Sequence, residues 1–287
     1  MLIDTHAHLN FSAYKDDLDE VIKRTLENNT WVINVGSQSS TSERAVEIAN
    51  KYEKGIYATV GLHPTHLFSM EVDESEVEVK FKSRSESWNK KFYKNLAQNK
   101  KVIAIGEMGL DYNFIPKNVD FEAAKKKQQE VFRQGLDLAD ELDLPIIIHN
   151  RDVHDDIIPI LNEYVKNNKL NRRGVIHCYT GGWEHAKKYL DMGFLIGFTG
   201  IVTFQPKKSQ IEAQGRIWEV VKNIPMNKFL IETDCPYLTP EPFRGKRNEP
   251  LYVRYVAEKI AEIKNTGFEE IAAISTKTAK KFFELQG

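Results

Sequence analysis

Short runs of β-branched and apolar residues alternate with longer stretches of helical period along the whole chain, and that alternation restricts the fold more than any other feature. Leu2 to His6, Trp31 to Gly36, Ile56 to Leu62, Val102 to Glu107, Pro145 to His149, Gly174 to Cys178, Phe194 to Phe198 and Lys228 to Asp234 read as eight strands. Between them lie helical patterns. Asp16 to Asn29 is one; Phe121 to Leu142, with Phe121, Ala124, Gln128, Val131, Phe132 and Leu138 near one face, is another. Asp155 to Asn167 carries Ile157, Ile158, Leu161 and Val165, and the chain closes with Pro250 to Lys264 and Phe268 to Leu285. Eight βα units in 287 residues, with strands apolar enough to be buried on both faces, predict an α/β protein of the (β/α)8 TIM-barrel kind. The alternative is an open doubly wound sheet. No repeat, low-complexity tract or Gly/Ser-rich linker divides the chain, so a single domain over residues 1–287 is expected.

Composition narrows the class. The 40 Lys and Arg against 41 Asp and Glu leave a net charge of −1, so bulk electrostatics does not draw in polyanions, and any nucleic-acid contact needs a local basic patch or bound cations. No apolar run approaches the ~20 residues of a membrane helix. Two cysteines, Cys178 and Cys235, make no disulfide framework, and the opening Met-Leu-Ile-Asp-Thr-His-Ala-His lacks a signal peptide's basic and apolar regions, so a cytoplasmic location is expected. One stretch breaks the rhythm: Glu71 to Glu78 carries five acids, and Lys80 to Lys101 carries eight Lys and Arg against Glu86 alone. It reads as a solvated helix with its flanks, or else as a basic lip for phosphates.

The strand ends carry the chemistry. His6 and His8 are two apart on the first strand, so their imidazoles share a face and can share a metal ion; Asp4 lies two before and can orient a ligand. Further strands end in His63, Glu107, His149, His177 and Asp234. In a parallel barrel those ends converge on one face, where active sites sit. Unpaired buried carboxylates are costly, and a divalent cation compensates them; mixed imidazole and carboxylate donors suit Zn, Mn, Fe or Co, with Mg favoured as oxygens dominate.

Leu2-Ile-Asp-Thr-His-Ala-His-Leu-Asn10, Gly61-Leu-His-Pro64, Gly106-Glu-Met-Gly-Leu-Asp-Tyr112, Pro145-Ile-Ile-Ile-His-Asn-Arg151, His177-Cys-Tyr-Thr-Gly181, Glu232-Thr-Asp-Cys-Pro236 and Arg244-Gly-Lys-Arg-Asn-Glu-Pro250 together resemble the TatD family of metal-dependent DNases, in the family's order along nearly the whole chain. The resemblance implies an amidohydrolase-type TIM barrel with two divalent metal ions (Mg, Mn or Zn) that hydrolyses DNA phosphodiesters, often as a 3′ to 5′ exonuclease on single strands, with RNA as a second candidate substrate. With no long apolar run, no membrane association is expected, and no obligate protein partner is evident. By the same resemblance His6, His8 and Asp234 hold one metal, His149 and His177 the other, and Glu107 is shared. Asp234 is then the candidate general base, and His63 faces the substrate phosphate, donating a hydrogen bond or protonating the leaving oxygen. Arg151, Arg244, Lys246 and Arg247 are candidates to grip flanking phosphates, with Asn248 and Glu249 ordering their loop.

Other residues read as structural. His66, His154 and His185 occupy no strand end. Cys178 is expected to point away from His177 and pack as a small apolar group, Cys235 likewise, and Gly181, Gly182, Gly197 and Gly200 to serve turns or close packing. Trp88, Phe92 and Tyr93 are placed in the core, the alternative being base stacking. Two rival functions remain: an amidohydrolase or lactonase on a small ester or amide, many of which carry a carbamylated lysine where Glu107 stands, and a metal-stabilised nucleic-acid binder without turnover.

Overall fold

The computed structural model describes residues 1–74, 79–83, 85–206 and 208–285. In chain order its elements are β1 (Leu2–Ala7), α1 (Leu18–Glu27), β2 (Thr30–Val35), α2 (Ser39–Asn50), β3 (Ile56–Val60), β4 (Met70–Glu74), β5 (Val79–Ser83), α3 (Lys90–Leu96), β6 (Val102–Asp111), α4 (Phe121–Glu141), β7 (Ile146–Arg151), α5 (His154–Lys166), β8 (Gly174–Ile176), α6 (Trp183–Asp191), β9 (Leu195–Phe198), α7 (Ile211–Asn223), β10 (Phe229–Ile231), α8 (Val253–Lys264) and α9 (Phe268–Phe283). All strands but β4 and β5 join one sheet in chain order, each neighbouring pair parallel. The sheet curls until its ends meet. Beyond β10 the Asp234 amide donates to the His6 carbonyl and the His8 amide to the Cys235 carbonyl, both at 2.8 Å. The Thr233 amide and hydroxyl bond to the Asp4 carboxylate at 2.8 and 2.6 Å. The fold is the expected (β/α)8 barrel, nearly closed, rather than an open sheet; closure removes the exposed edges an open sheet would leave.

Two apolar layers hold it. One residue or more from every barrel strand, among them Ile3, Ile33, Tyr57, Ile103, Ile147, Val175, Leu195 and Leu230, fills the interior, with Phe283 and Leu285 plugging it below. A second layer packs Ile148, Ile196 and Ile231 against Phe132, Ile157 and Ile260 of the surrounding helices. Each such side chain contributes about 1.5–3 kcal/mol when fully buried. The interior row predicts the site by period two. Above Ile147 comes His149, above Val175 comes His177, and above Leu230 come Glu232 and Asp234.

Two strands depart from that period. The β1 ladder is irregular between Asp4 and Ala7, and Ile3 lies in the inner layer while Ala7 lies in the outer one. The irregularity re-phases the strand so that His6 and His8 face inward. Asp4 therefore orients no imidazole ring, as the simple alternation suggested; it anchors Thr233 at the barrel seam. The second irregularity lies in β6 between Ile105 and Met108. This strand does not end at Glu107 but continues through Gly109, opposite His149, to Asp111, opposite Arg151. Gly109 and Asp111 look like turn residues in isolation, so the local pattern stops at Glu107 while the strand runs on.

The charged segment is a hairpin before it is a helix. β4 and β5 pair antiparallel, Glu71 opposite Lys82 and Asp73 opposite Lys80, while residues 75–78 and 84 lie outside the described residues. Val72 between acids and Phe81 between lysines alternate with period two, a strand pattern that charge had masked. The helical part is confined to α3, where the Asn89 side chain accepts from the Phe92 amide as an N-cap. Lys90 and Lys94 bond Glu141 of α4 at 2.6 Å each, so they brace helix to helix rather than forming a lip. Trp88 stacks on buried Tyr93, and Phe92 packs against the core, as expected. Among the described residues no helix is long and apolar enough to cross a membrane.

Candidate metal centre

At the C-terminal mouth of the barrel the inner-row side chains meet in a cavity of about 600 Å³. His6 and His8 bring their Nε2 atoms to 3.2 Å from one another. His6 Nε2 lies 3.4 Å from Glu107 Oε2 and 3.7 Å from Asp234 Oδ1, and His8 Nε2 lies 3.3 Å from the same Asp234 oxygen. His177 Nε2 is 3.5 Å from Asp234 and 3.9 Å from Glu107, while His149 Nδ1 is 2.8 Å from Glu107 Oε1. Three sets of donors are each close enough to enclose one cation: His6, His8 and Glu107; His6, His177 and Asp234; and His63, Glu107 and His149. Glu107 thus stands in two of the three sets. The third brings in His63, and His177 falls beside His6 and Asp234 rather than beside His149.

The partners of the outer ring nitrogens decide which imidazoles present a lone pair. His8 Nδ1 faces the Val35 carbonyl at 2.9 Å and must donate, leaving Nε2 as a bare donor atom toward the centre. His177 Nδ1 donates to the Glu232 carboxylate at 2.8 Å, while its Nε2 faces Asp234 at 3.5 Å. His63 is the reverse case. Its Nδ1 accepts from the Thr65 amide at 3.2 Å, so the proton sits on Nε2 and points at Glu107, 3.6 Å away. That tautomer makes His63 a hydrogen-bond donor into the cavity, not a ligand. His149 differs again: Nδ1 faces Glu107 and Nε2 faces Asp111 at 3.0 Å, so both nitrogens donate to carboxylates.

The charge states follow. Burial opposes the positive charge on His149, but hydrogen bonds to Asp111 and Glu107 outweigh it and raise its pKa to about 9. Burial is likewise overcome at His177, where Glu232 and Asp234 hold the pKa well above the ordinary value. Burial and the nearby His177 lower His6; burial and His149 lower His63 far more. Burial works against the carboxylates of Glu107 and Asp234, yet the surrounding imidazoles win and keep both ionised. A divalent ion fits this donor set on two observations. Imidazole nitrogens and ionised carboxylate oxygens converge on the same points, and His6 Nδ1 is buried with no hydrogen-bond partner. Imidazole with carboxylate is donor chemistry for Zn, Mn, Fe or Co.

Asp111 and Glu232 are the functional residues that sequence reasoning left out. Period two does signal Glu232, which lies one inner-row step below Asp234; its carboxylate also accepts from the Cys178 amide at 3.1 Å. Gly197 makes room for it, since a Cβ there would collide with that carboxylate. Asp111 carries no such signal, because the local strand pattern stops at Glu107 and the extension of β6 to Asp111 is a property of the ladder.

The four basic candidates divide. Arg151 borders the cavity, its guanidinium 4.8 Å over the Phe114 ring. Arg244, Lys246 and Arg247 do not border it. Arg244 lies over Phe204, Lys246 beside Phe243, and Arg247 donates to Asp17 and to the Ala13 carbonyl, so Arg247 is a brace rather than a phosphate grip. Asn248 orders the loop as expected, donating to the Thr233 and Tyr237 carbonyls at 3.0 and 2.5 Å. Glu249 bonds Arg24 of α1 through both oxygens. His66 borders the cavity with Nε2 3.5 Å from the Ser37 hydroxyl, while His154 and His185 stack on each other outside it; none joins a metal set. Cys235 is buried. Cys178 is not packed away: β8 ends at Ile176, alternation fails beyond it, and the half-buried thiol borders the cavity near Thr199, where burial pushes its pKa up to about 12.

Known proteins share this architecture. A family model described as TatD related DNase matches residues 3–284. A Bacillus subtilis (strain 168) protein described as the uncharacterized metal-dependent hydrolase YabD is 44% identical over 286 residues, covering 99% of this chain and all of that protein. The similarly described YcfH of Escherichia coli (strain K12) is 30% identical, covering 99% of this chain and 96% of its own. The crystal structure of YJJV, a TatD homologue from Escherichia coli K12, superposes with a TM-score of 0.81 at 25% identity, covering 99% of this chain and 98% of that one.

Proposed function

The chain belongs to the TatD-related DNase family of metal-dependent hydrolases, and from that premise we propose that it is a deoxyribonuclease that hydrolyses phosphodiester bonds of single-stranded DNA, releasing nucleotides from the 3′ end. The observation that carries the reading is the convergence of imidazole nitrogens and ionised carboxylates beside His63, a neutral imidazole whose Nε2 proton points into the cavity. The donors would hold the ions that activate water, and the proton offers a phosphate oxygen a hydrogen bond. The end polarity follows from the family resemblance alone.

In this reading, which follows the family resemblance, His6, His8 and Asp234 would hold one divalent ion, His149 and His177 the other, and Glu107 would serve both, although the distances seat His177 beside His6 and Asp234. Two such ions, when bound, polarise the phosphoryl oxygens and lower the pKa of a water. They would also add positive charge to a cavity that Glu107, Asp111, Asp152 and Asp234 border, with Arg151 as the one Lys or Arg among the described residues. Binding at His149 requires it to give up one carboxylate contact and a proton.

The protein's own groups then divide the proton work. Water oxygen bonds to phosphorus as the bond from phosphorus to the leaving sugar oxygen breaks. Asp234, ionised and at the centre, accepts the proton that the water loses. Asp234 passes that proton on to the leaving sugar oxygen, and neutral His63, held in the Nε2-protonated tautomer by Thr65, donates a hydrogen bond to that oxygen. Arg151 steadies a flanking phosphate by a charge-assisted contact.

End-labelled single-stranded DNA with Mg, Mn, Zn or a chelator tests the reading. The expected result is metal-dependent loss of 3′ nucleotides, reduced about 10²- to 10⁴-fold in Asp234→Asn and comparably in Glu107→Gln. No turnover with any metal would turn the reading toward a small ester or amide substrate, and turnover that survives both substitutions would place the chemistry elsewhere.

A further inference from the structure

Three aromatic rings, Phe11, Phe114 and Tyr237, border the metal-site cavity and belong to neither apolar cluster found among the described residues. Two of them are tethered in the same way. Phe11 lies three residues past His8, with its amide bonded to the His8 carbonyl at 3.0 Å; Tyr237 lies three residues past Asp234, with its amide bonded to the Asp234 carbonyl at 3.0 Å. Each ring is thereby fixed one turn beyond a candidate ligand. Phe11 also stacks nearly parallel on the His8 ring, centroids 4.4 Å apart at 11°, and meets Tyr237 edge to face at 6.3 Å. The wall they form stands on the first and last barrel strands, at the seam. Arg151 over Phe114 stands on the fourth and fifth, which is across the barrel mouth. The cavity is thus aromatic at one rim and cationic at the other, with the donor cluster between.

We propose that the Phe11–Tyr237 wall is a nucleobase-stacking subsite, and that it selects an unpaired terminal nucleotide whose next phosphate reaches Arg151. The proposal rests on the nuclease reading and adds what the polymer is recognised by. With Arg151 as the only Lys or Arg bordering the cavity among the described residues, charge alone orients a strand poorly. Stacking on rigid rings is tolerant of sequence because every base has a π-face, and it requires that the neighbouring base not cover that face. A duplex end meets this condition only after unstacking.

The test compares two single-stranded oligonucleotides, one ending in a normal 3′ nucleotide and one with an abasic tetrahydrofuran residue in that place. Wild-type protein should favour the base by about tenfold in kcat/KM, the order expected of one stacked base. In a Phe11→Leu, Tyr237→Leu double variant the ratio should fall to near one, while Phe11→Trp should retain it. Metal content per chain and melting temperature check that His8 and the fold are intact. Equal hydrolysis of both substrates by wild type, or a tenfold ratio that persists in the double variant, would overturn the subsite and leave the nuclease reading standing. Absence of hydrolysis of either substrate would overturn both.

Discussion

His154 shows how one buried residue ties stability to pH. It opens α5, and its Nδ1 sits 2.6 Å from the Asn150 amide nitrogen and 3.1 Å from the Tyr189 hydroxyl, while its Nε2 is buried without a hydrogen-bond partner. Burial, helped by the stacked His185, lowers its pKa to about 4 from an ordinary value of 6.5. Between those values the unfolded chain binds a proton that the folded chain refuses, so stability falls as pH drops from 6.5 to 4 and changes no further below that. The loss approaches the order of 3 kcal/mol across the window, because each pH unit is worth about 1.4 kcal/mol. In His154→Gln, urea unfolding at a series of pH values should show that slope reduced; an unchanged slope would mean His154 titrates normally in the folded protein. The sequence marks His154 as structural simply because it lies off the strand ends, but its burial against Tyr189 depends on how α5 and α6 pack.

The loop between β10 and α8 shows the same limit at the scale of elements. Its basic run reads as a phosphate grip, yet Arg247 reaches Asp17 at 2.8 Å and lies over the Tyr14 ring at 4.6 Å, while neighbouring Glu249 binds Arg24. These contacts lash the loop after Asp234 to the start of α1, more than two hundred residues away. Sequence distance hides them, because only barrel closure brings β1 and β10 together. Arg247→Ala should therefore lower stability by about 1 kcal/mol, a partly exposed pair being screened by water, and leave the salt dependence of oligonucleotide binding as in wild type. Arg151→Ala should do the opposite, reducing the slope of log affinity against log salt by about 0.7 with little change in melting temperature. A common effect of both substitutions on the salt slope would return Arg247 to the phosphate-binding set. Local periodicity is nonetheless strong enough to place all eight barrel strands. It fails where β6 runs on to Asp111 and where charge conceals the β4–β5 alternation.

At the scale of the whole molecule, six of the eight barrel strands, from distant parts of the sequence, deliver carboxylates and imidazoles to one buried point, and their repulsion and desolvation make the metal a stabilising partner. Chelator should lower the melting temperature, and metal at a hundred times its dissociation constant should restore about 2.7 kcal/mol, read by thermal melts against metal concentration. A melting temperature indifferent to both would mean that these donors bind no ion in solution. The sequence by itself determined the alternation that makes a barrel and which strand ends bear metal-binding side chains, since period and residue type are written within a few neighbouring positions. Tertiary structure alone decided which face those side chains take. The ladder irregularities in β1 and β6 turn His6, His8 and Glu107 inward, and Thr65 on His63, Val35 on His8 and Glu232 on His177 choose each proton's place. Those partners lie on other strands or past the strand end, so the choice exists only once the barrel has closed around them.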